Sequence, residues 1–217
     1  MRTLKSNRDV FCSMILLCFA IAFVGCTGKS VDSNDGQDDI KCLCPPTIYL
    51  QPYGNFTQKE ASRLGKELEE HLYEMFYVEM DCEVLPTLPL ADSLLNKTKS
   101  RYRADKIIKS LSPKADEHNI YIGLTHKDIS CSVRGKEDWG VQGLSLIPRK
   151  ACVVSTFRVK DQHNLWKVVC HEFIHTYFKY HHCPKDDPSC LMQDAKGRPN
   201  YRNKKGLCPY CQNLLQI

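Results

Sequence analysis

Nowhere in these 217 residues does an apolar run reach the roughly 20 positions a helix needs to cross a bilayer. The longest run, residues 11–24, has signal-peptide length instead. Charge of one sign is also scarce. The net charge is +5, its lysines and arginines are scattered, and there is no basic run or RNA-binding signature. That is too small and too scattered to argue for nucleic acid, and no nucleic-acid partner is expected. There is no internal repeat, and the length suits one domain with at most a small appendage. Hydrophobic content is ordinary, so a real core can form. Cysteine, by contrast, is plentiful at 13 residues.

The N-terminus reads as a targeting segment. Arg2, Lys5 and Arg8 precede the apolar run, which ends Phe23-Val24-Gly25-Cys26. A small residue followed by cysteine at that place resembles a bacterial lipobox. The resemblance implies a signal peptide over residues 1–25, cleavage before Cys26 and a lipid on its thiol. The alternative is an uncleaved membrane anchor. Either reading places the chain in the cell envelope, outside the cytoplasm, periplasmic or at the cell surface. Residues 26–39 hold Gly, Ser, Asn and Asp with a single valine after Cys26. They bury too little to fold and form a flexible linker. The folded domain is expected over residues 40–217.

Within it, Ile48, Leu50 and Tyr53 read as a first strand. Thr57 and Glu60 form a capping box ahead of Ala61, Leu64, Leu68, Leu72, Met75 and Phe76 at helical spacing. Residues 78–84 alternate as a half-buried strand. Residues 101–111 read as a second amphipathic helix, and Ile120, Ile122 and Leu124 as a third strand. Residues 139–147 and 151–159 are two more strands, a hairpin or edge pair. This order suits a twisted mixed sheet with helices packed on it, an α+β fold.

The chemistry concentrates at residues 171–183, HEFIHTYFKYHHC. Residues four apart share one helix face, so His171 and His175 can hold one zinc ion. Glu172 can take a proton from a metal-activated water. Leu165, Trp166, Val168, Val169, Phe173, Ile174 and Tyr177 give the helix a broad apolar face, so it is buried. A catalytic zinc needs a third protein ligand. In a continuous helix His181 would sit roughly 15 Å along the axis from His171, so the helix must break after Tyr177 and fold back.

Downstream come Cys183, then Cys190-Leu191-Met192, then Cys208-Pro209-Tyr210-Cys211. With HEFIHTYFKYHHC, and with RYRADKIIKSL at 101–111 and ACVVSTFRV at 151–159, the chain from about Ile48 to Gln212 resembles the archaemetzincins, metzincin-like zinc metallopeptidases. The resemblance implies a zincin-type fold with a zinc-binding active-site helix and a cysteine-rich, zinc-binding C-terminal tail. It also implies that Met192 forms the Met-turn, an apolar floor beneath the ligands. Three departures stand out. Phe178 occupies the motif's glycine position, where the backbone is expected to turn with positive φ at a cost of about 1–2 kcal/mol for a bulky residue. One extra residue precedes the His-Cys pair. Six residues rather than four separate Cys183 from Cys190.

The extra residue leaves two candidates for the third ligand. Counting forward from His171 selects His181, and counting back from Cys183 selects His182. His181 is the expectation, because the helix sets the register from its N-terminal side. Cys183, Cys190, Cys208 and Cys211 resemble a structural four-cysteine zinc site, with two disulfides as the alternative in an oxidising compartment. Two zinc ions are therefore expected, one catalytic and one structural. Cys42, Cys44, Cys82, Cys131, Cys152 and Cys170 remain, and sequence does not choose among their pairings. In zinc peptidases of this kind an edge strand above the site pairs with the extended substrate, and either segment between Gly140 and Val159 could do this; the alternative is an ordinary core strand. The function implied is hydrolysis of peptide bonds in a peptide or protein substrate, with Glu172 as general base, by a protein held to the membrane through a lipid. The competing reading is a binding or scaffold lipoprotein that keeps the metal architecture without turnover.

Overall fold

A computed structural model describes residues 45–116, 118–195 and 201–215. The lipobox cysteine Cys26, the linker, Cys42 and Cys44 lie outside the described residues. Among the described residues, no helix is long and apolar enough to cross a membrane.

A five-stranded sheet organises the domain, in the order β2-β1-β4-β8-β7. Strand β1 is Thr47–Tyr53, β2 is Cys82–Val84, β4 is Asn119–Thr125, β7 is Gly143–Ser145 and β8 is Ala151–Ser155. The first four in spatial order run parallel, and β7 joins β8 antiparallel at the edge. The central strands alternate between two cores, as a pleated strand must. Ile48, Leu50, Ile120, Ile122, Leu124, Cys152 and Val154 face one cluster; Tyr53, Ala151 and Val153 face the other.

Helix α1 (Gln58–Phe76) and helix α3 (Leu165–Tyr177) cover the first face, and helix α2 (Ala104–Leu111) the second. The capping box at α1 is complete. Thr57 Oγ1 accepts from the Glu60 backbone N–H, and the Glu60 carboxylate accepts from Thr57 N–H at 2.8 Å. Such a cap is worth about 1 kcal/mol. Helix α3 is apolar nearly all round, with ten buried residues, and this is how two histidines and a glutamate are carried into the interior.

Three expectations are corrected. The alternating stretch 78–84 is strand only at β2, because α1 closes with Tyr77 in the left-handed conformation (φ 57°) and the chain then crosses back before pairing with β1. Residues 101–111 divide into β3 (Tyr102–Arg103) and α2. A second sheet, β3-β5-β6, was not anticipated; β5 is Ile129–Val133 and β6 is Lys136–Val141. Its hairpin turns through Arg134 and Gly135, both at positive φ (46° and 79°), the pattern a two-residue primed turn requires.

Candidate metal and catalytic centre

Helix α3 carries His171, Glu172 and His175, which are 5%, 6% and 9% exposed. The helix ends at Tyr177. Phe178 caps it in an ordinary right-handed conformation (φ −81°), and the left-handed residue is Lys179 (φ 53°). The expected strain at Phe178 is therefore absent. Its ring instead packs 4.9 Å from Phe76 and 4.8 Å from Tyr177. The extra residue is absorbed in this turn, which moves the positive φ one position on, to an exposed lysine that needs no packing.

That shift decides which histidine comes home. His171, His175 and His182 form one group whose donor atoms all lie within 4.8 Å of one another. The expectation of His181 is thus revised to His182. His181 is not in the group and lines the adjoining cleft of about 360 Å³ with Ser145, Ile147, His175 and His182. The sequence count failed because it assumed an unchanged turn.

The donor chemistry of the group fits zinc. His171 Nδ1–H donates to the Leu191 carbonyl at 2.8 Å, and His175 Nδ1–H donates to the Tyr180 carbonyl. Each carbonyl can only accept, so each Nδ1 carries the proton and each Nε2 presents a lone pair. Burial lowers the pKa of both imidazoles, His175 to about 4, which keeps them neutral. The two Nε2 atoms meet at 3.1 Å. Two converging lone pairs suit a shared cation. A tetrahedral zinc with arms of about 2.0–2.1 Å would space its nitrogens at about 3.3 Å.

Glu172 turns toward the edge strand. Ser145 Oγ lies 2.7 Å from Glu172 Oε2 and donates to it, while Thr176 Oγ1 donates to the Glu172 carbonyl at 2.7 Å. A Cβ at Gly143 would fall 2.6 Å from both Cγ and Oε1 of Glu172, so only glycine lets β7 lie this close. Burial raises the Glu172 carboxyl to about 7, against the hydrogen bond from Ser145. Of the candidate substrate-pairing strands, β8 is interior and β7 is at the edge.

The second group is Cys183, Cys190, Cys208 and Cys211, all buried and unbonded, with sulfurs within 4.8 Å of one another. The Cys183–Cys208 and Cys190–Cys211 sulfur pairs are each 3.7 Å apart. A zinc tetrahedron with arms of about 2.3 Å has edges of about 3.8 Å, whereas a disulfide needs about 2 Å. The chemistry and spacing fit a closed four-thiolate zinc site. Cys82, Cys131, Cys152 and Cys170 are also unbonded, and Cys152 and Cys170 are core residues.

The two groups share one turn. The Met192 carbonyl accepts from Cys183 N–H at 2.8 Å, and Met192 is fully buried. Ser145, Gly143, Tyr180 and Lys204 are the residues that reading the sequence did not single out. Only Gly143 left a signal there, as a glycine inside a strand pattern.

No family model and no curated protein sequence matches the chain. Solved structures do. An archaemetzincin from Methanopyrus kandleri aligns with a TM-score of 0.63 at 23% identity, over 78% of this chain and 93% of its own. An archaemetzincin from Archaeoglobus fulgidus aligns with a TM-score of 0.56 at 22% identity, over 77% and 98%. A zinc-dependent peptidase from Methanocorpusculum labreanum aligns with a TM-score of 0.59 at 17% identity, over 78% and 100%. At these identities the likeness is one of architecture, and the fold of this chain is archaemetzincin-like.

Proposed function

We propose that the chain is a zinc-dependent peptidase. The observation that carries this reading is the convergence of His171, His175 and His182 beside a buried glutamate that faces an edge strand. His171, His175 and His182 would hold the catalytic zinc, and Cys183, Cys190, Cys208 and Cys211 a structural one. When bound, the catalytic zinc would polarise the scissile carbonyl and make water a stronger acid near neutral pH. The chain's own residues supply the rest. Glu172, with a carboxyl raised by burial to about 7, would accept a proton from the attacking water and return it to the leaving amine. Ser145 holds the carboxylate in place. Strand β7 offers an outer edge to an extended peptide. Ser145, Ile147 and His181 line the cleft where side chains of that peptide would lie.

The experiment is digestion of a peptide library by the full chain and by Glu172→Gln, with metal content measured in both. The expected outcome is cleavage that falls by 10²-fold or more in the variant with zinc retained, the size of effect typical of a general base. No cleavage by a fully metallated native chain would favour the scaffold alternative. The reading extends to place: a lipid on Cys26 would hold the domain outside the cytoplasm, within reach of peptide or protein substrates there.

A further inference from the structure

Lys204 is only 4% exposed, although it follows a turn near the end of the chain. A buried ammonium is costly unless each of its three N–H groups finds an acceptor. Lys204 Nζ has three: the backbone carbonyls of Cys190 at 2.9 Å, Leu191 at 3.2 Å and Gln193 at 2.8 Å. These carbonyls belong to the turn that runs from a four-cysteine ligand, past Met192, beneath the histidines. The remaining carbonyl of that turn, Met192, is taken by Cys183 N–H. One of the three, Leu191, also accepts the Nδ1–H of His171. A single positive charge thus gathers the backbone between the two metal-binding groups and holds the oxygen that aims one of the histidines.

We propose that Lys204 is a positioning residue for the histidine site. It fixes the Leu191 carbonyl, and through it the tautomer and aim of His171. It thereby makes the geometry of the histidine group depend on the turn anchored by Cys190. The closed four-thiolate site carries net negative charge when it holds a divalent ion, so the ammonium also offsets that charge at close range. The main chain reinforces the arrangement: Leu191 N–H donates to Gly206 O at 2.6 Å, and Lys205 N–H donates to Ser189 O at 2.9 Å, pinning the segment that carries the lysine against the turn. This inference rests on the reading of His171, His175 and His182 as metal ligands.

The test is cobalt loading of the full chain, its Lys204→Met variant and its Lys204→Arg variant. Thiolate-to-cobalt charge transfer marks the four-cysteine site, and ligand-field bands of a nitrogen-ligated ion mark the histidine site. Competing chelators then give the affinity of each site separately. In Lys204→Met, which keeps length but not charge, the histidine site is expected to lose about 10–100-fold in affinity, the usual cost of removing a partner that orients a ligand, with its bands altered. The thiolate charge-transfer bands are expected to persist, with a smaller loss of affinity at the four-cysteine site from the missing positive charge. If Lys204→Met does not fold, Lys204→Arg decides. Its planar fork keeps the charge but cannot serve three carbonyls converging on one point, so the same selective loss is expected. Unchanged affinity and spectrum at the histidine site in a folded variant would overturn the proposal. Cobalt bound only by the cysteines in the unsubstituted chain would overturn the metal reading itself, together with the role given to Lys204.

Discussion

Gly143 shows how little room the site leaves. A methyl group there would press on both the stem and an oxygen of Glu172 at 2.6 Å. Gly143→Ala must therefore push the carboxylate or the strand away, and a displacement of about 1 Å can cost on the order of 10²-fold in rate. The expected outcome is a kcat reduced by about that factor with zinc content unchanged, measured on the best peptide from the library. At the other end of the site, His182→Ala should take metal content from two zinc ions per chain to one, while His181→Ala keeps both; the check is elemental analysis of the purified, reduced protein. The contrast is sharp because His182, and not His181, joins His171 and His175 within 4.8 Å. A His181→Ala protein that lost one zinc would reverse the assignment.

At the scale of elements, helix α3 was legible from its sequence and the turn after it was not. HEFIH sets two histidines on one helix face with a glutamate beside them by helical periodicity alone, and the apolar residues around it announce burial. The turn depends on which residue takes positive φ, and that is settled by packing between distant parts. The Phe178 ring finds Phe76 at the end of α1, so the chain keeps it right-handed and bends at Lys179. A glycine restored at the motif position should accordingly harm the protein. Phe178→Gly is expected to lose about 2 kcal/mol of aromatic packing, and Lys179→Gly to gain up to about 1 kcal/mol by relieving the left-handed backbone. For a domain of this size each kcal/mol moves Tm by roughly 2–4 °C, so thermal unfolding should shift in opposite directions for the two variants. Other elements were hidden for similar reasons. Strand β5 offers only Ile129 and Cys131 as buried apolar side chains, and β3 is two residues long beside a helix pattern that overwhelms it. Strands β1, β4 and β8 were readable because their apolar positions are dense, and the helix α1 because its capping box is complete.

For the molecule as a whole, the apolar run ending at Cys26 and the polar linker after it supply the case for an anchored protein. Cys26→Ser is expected to move the protein from the membrane fraction to the soluble fraction, or to leave its signal uncleaved; fractionation with N-terminal sequencing of the mature chain checks it, and a mature N-terminus other than Cys26 would count against the anchor. The same long-range organisation bears on the timing of synthesis. Tyr180, whose carbonyl aims His175, has its hydroxyl 3.4 Å from the sulfur of Cys211, 31 residues later. Leu191 and Lys204 also come after the helix they steady. A nascent chain therefore carries His171 and His175 before the carbonyls that aim them, whereas Ser145, which holds Glu172, precedes the helix. Contacts this far apart close late. Aiming of the two histidines thus waits on chain made after the helix, and the histidine group takes its final geometry only once the segment from Tyr180 to Lys204 has packed against it.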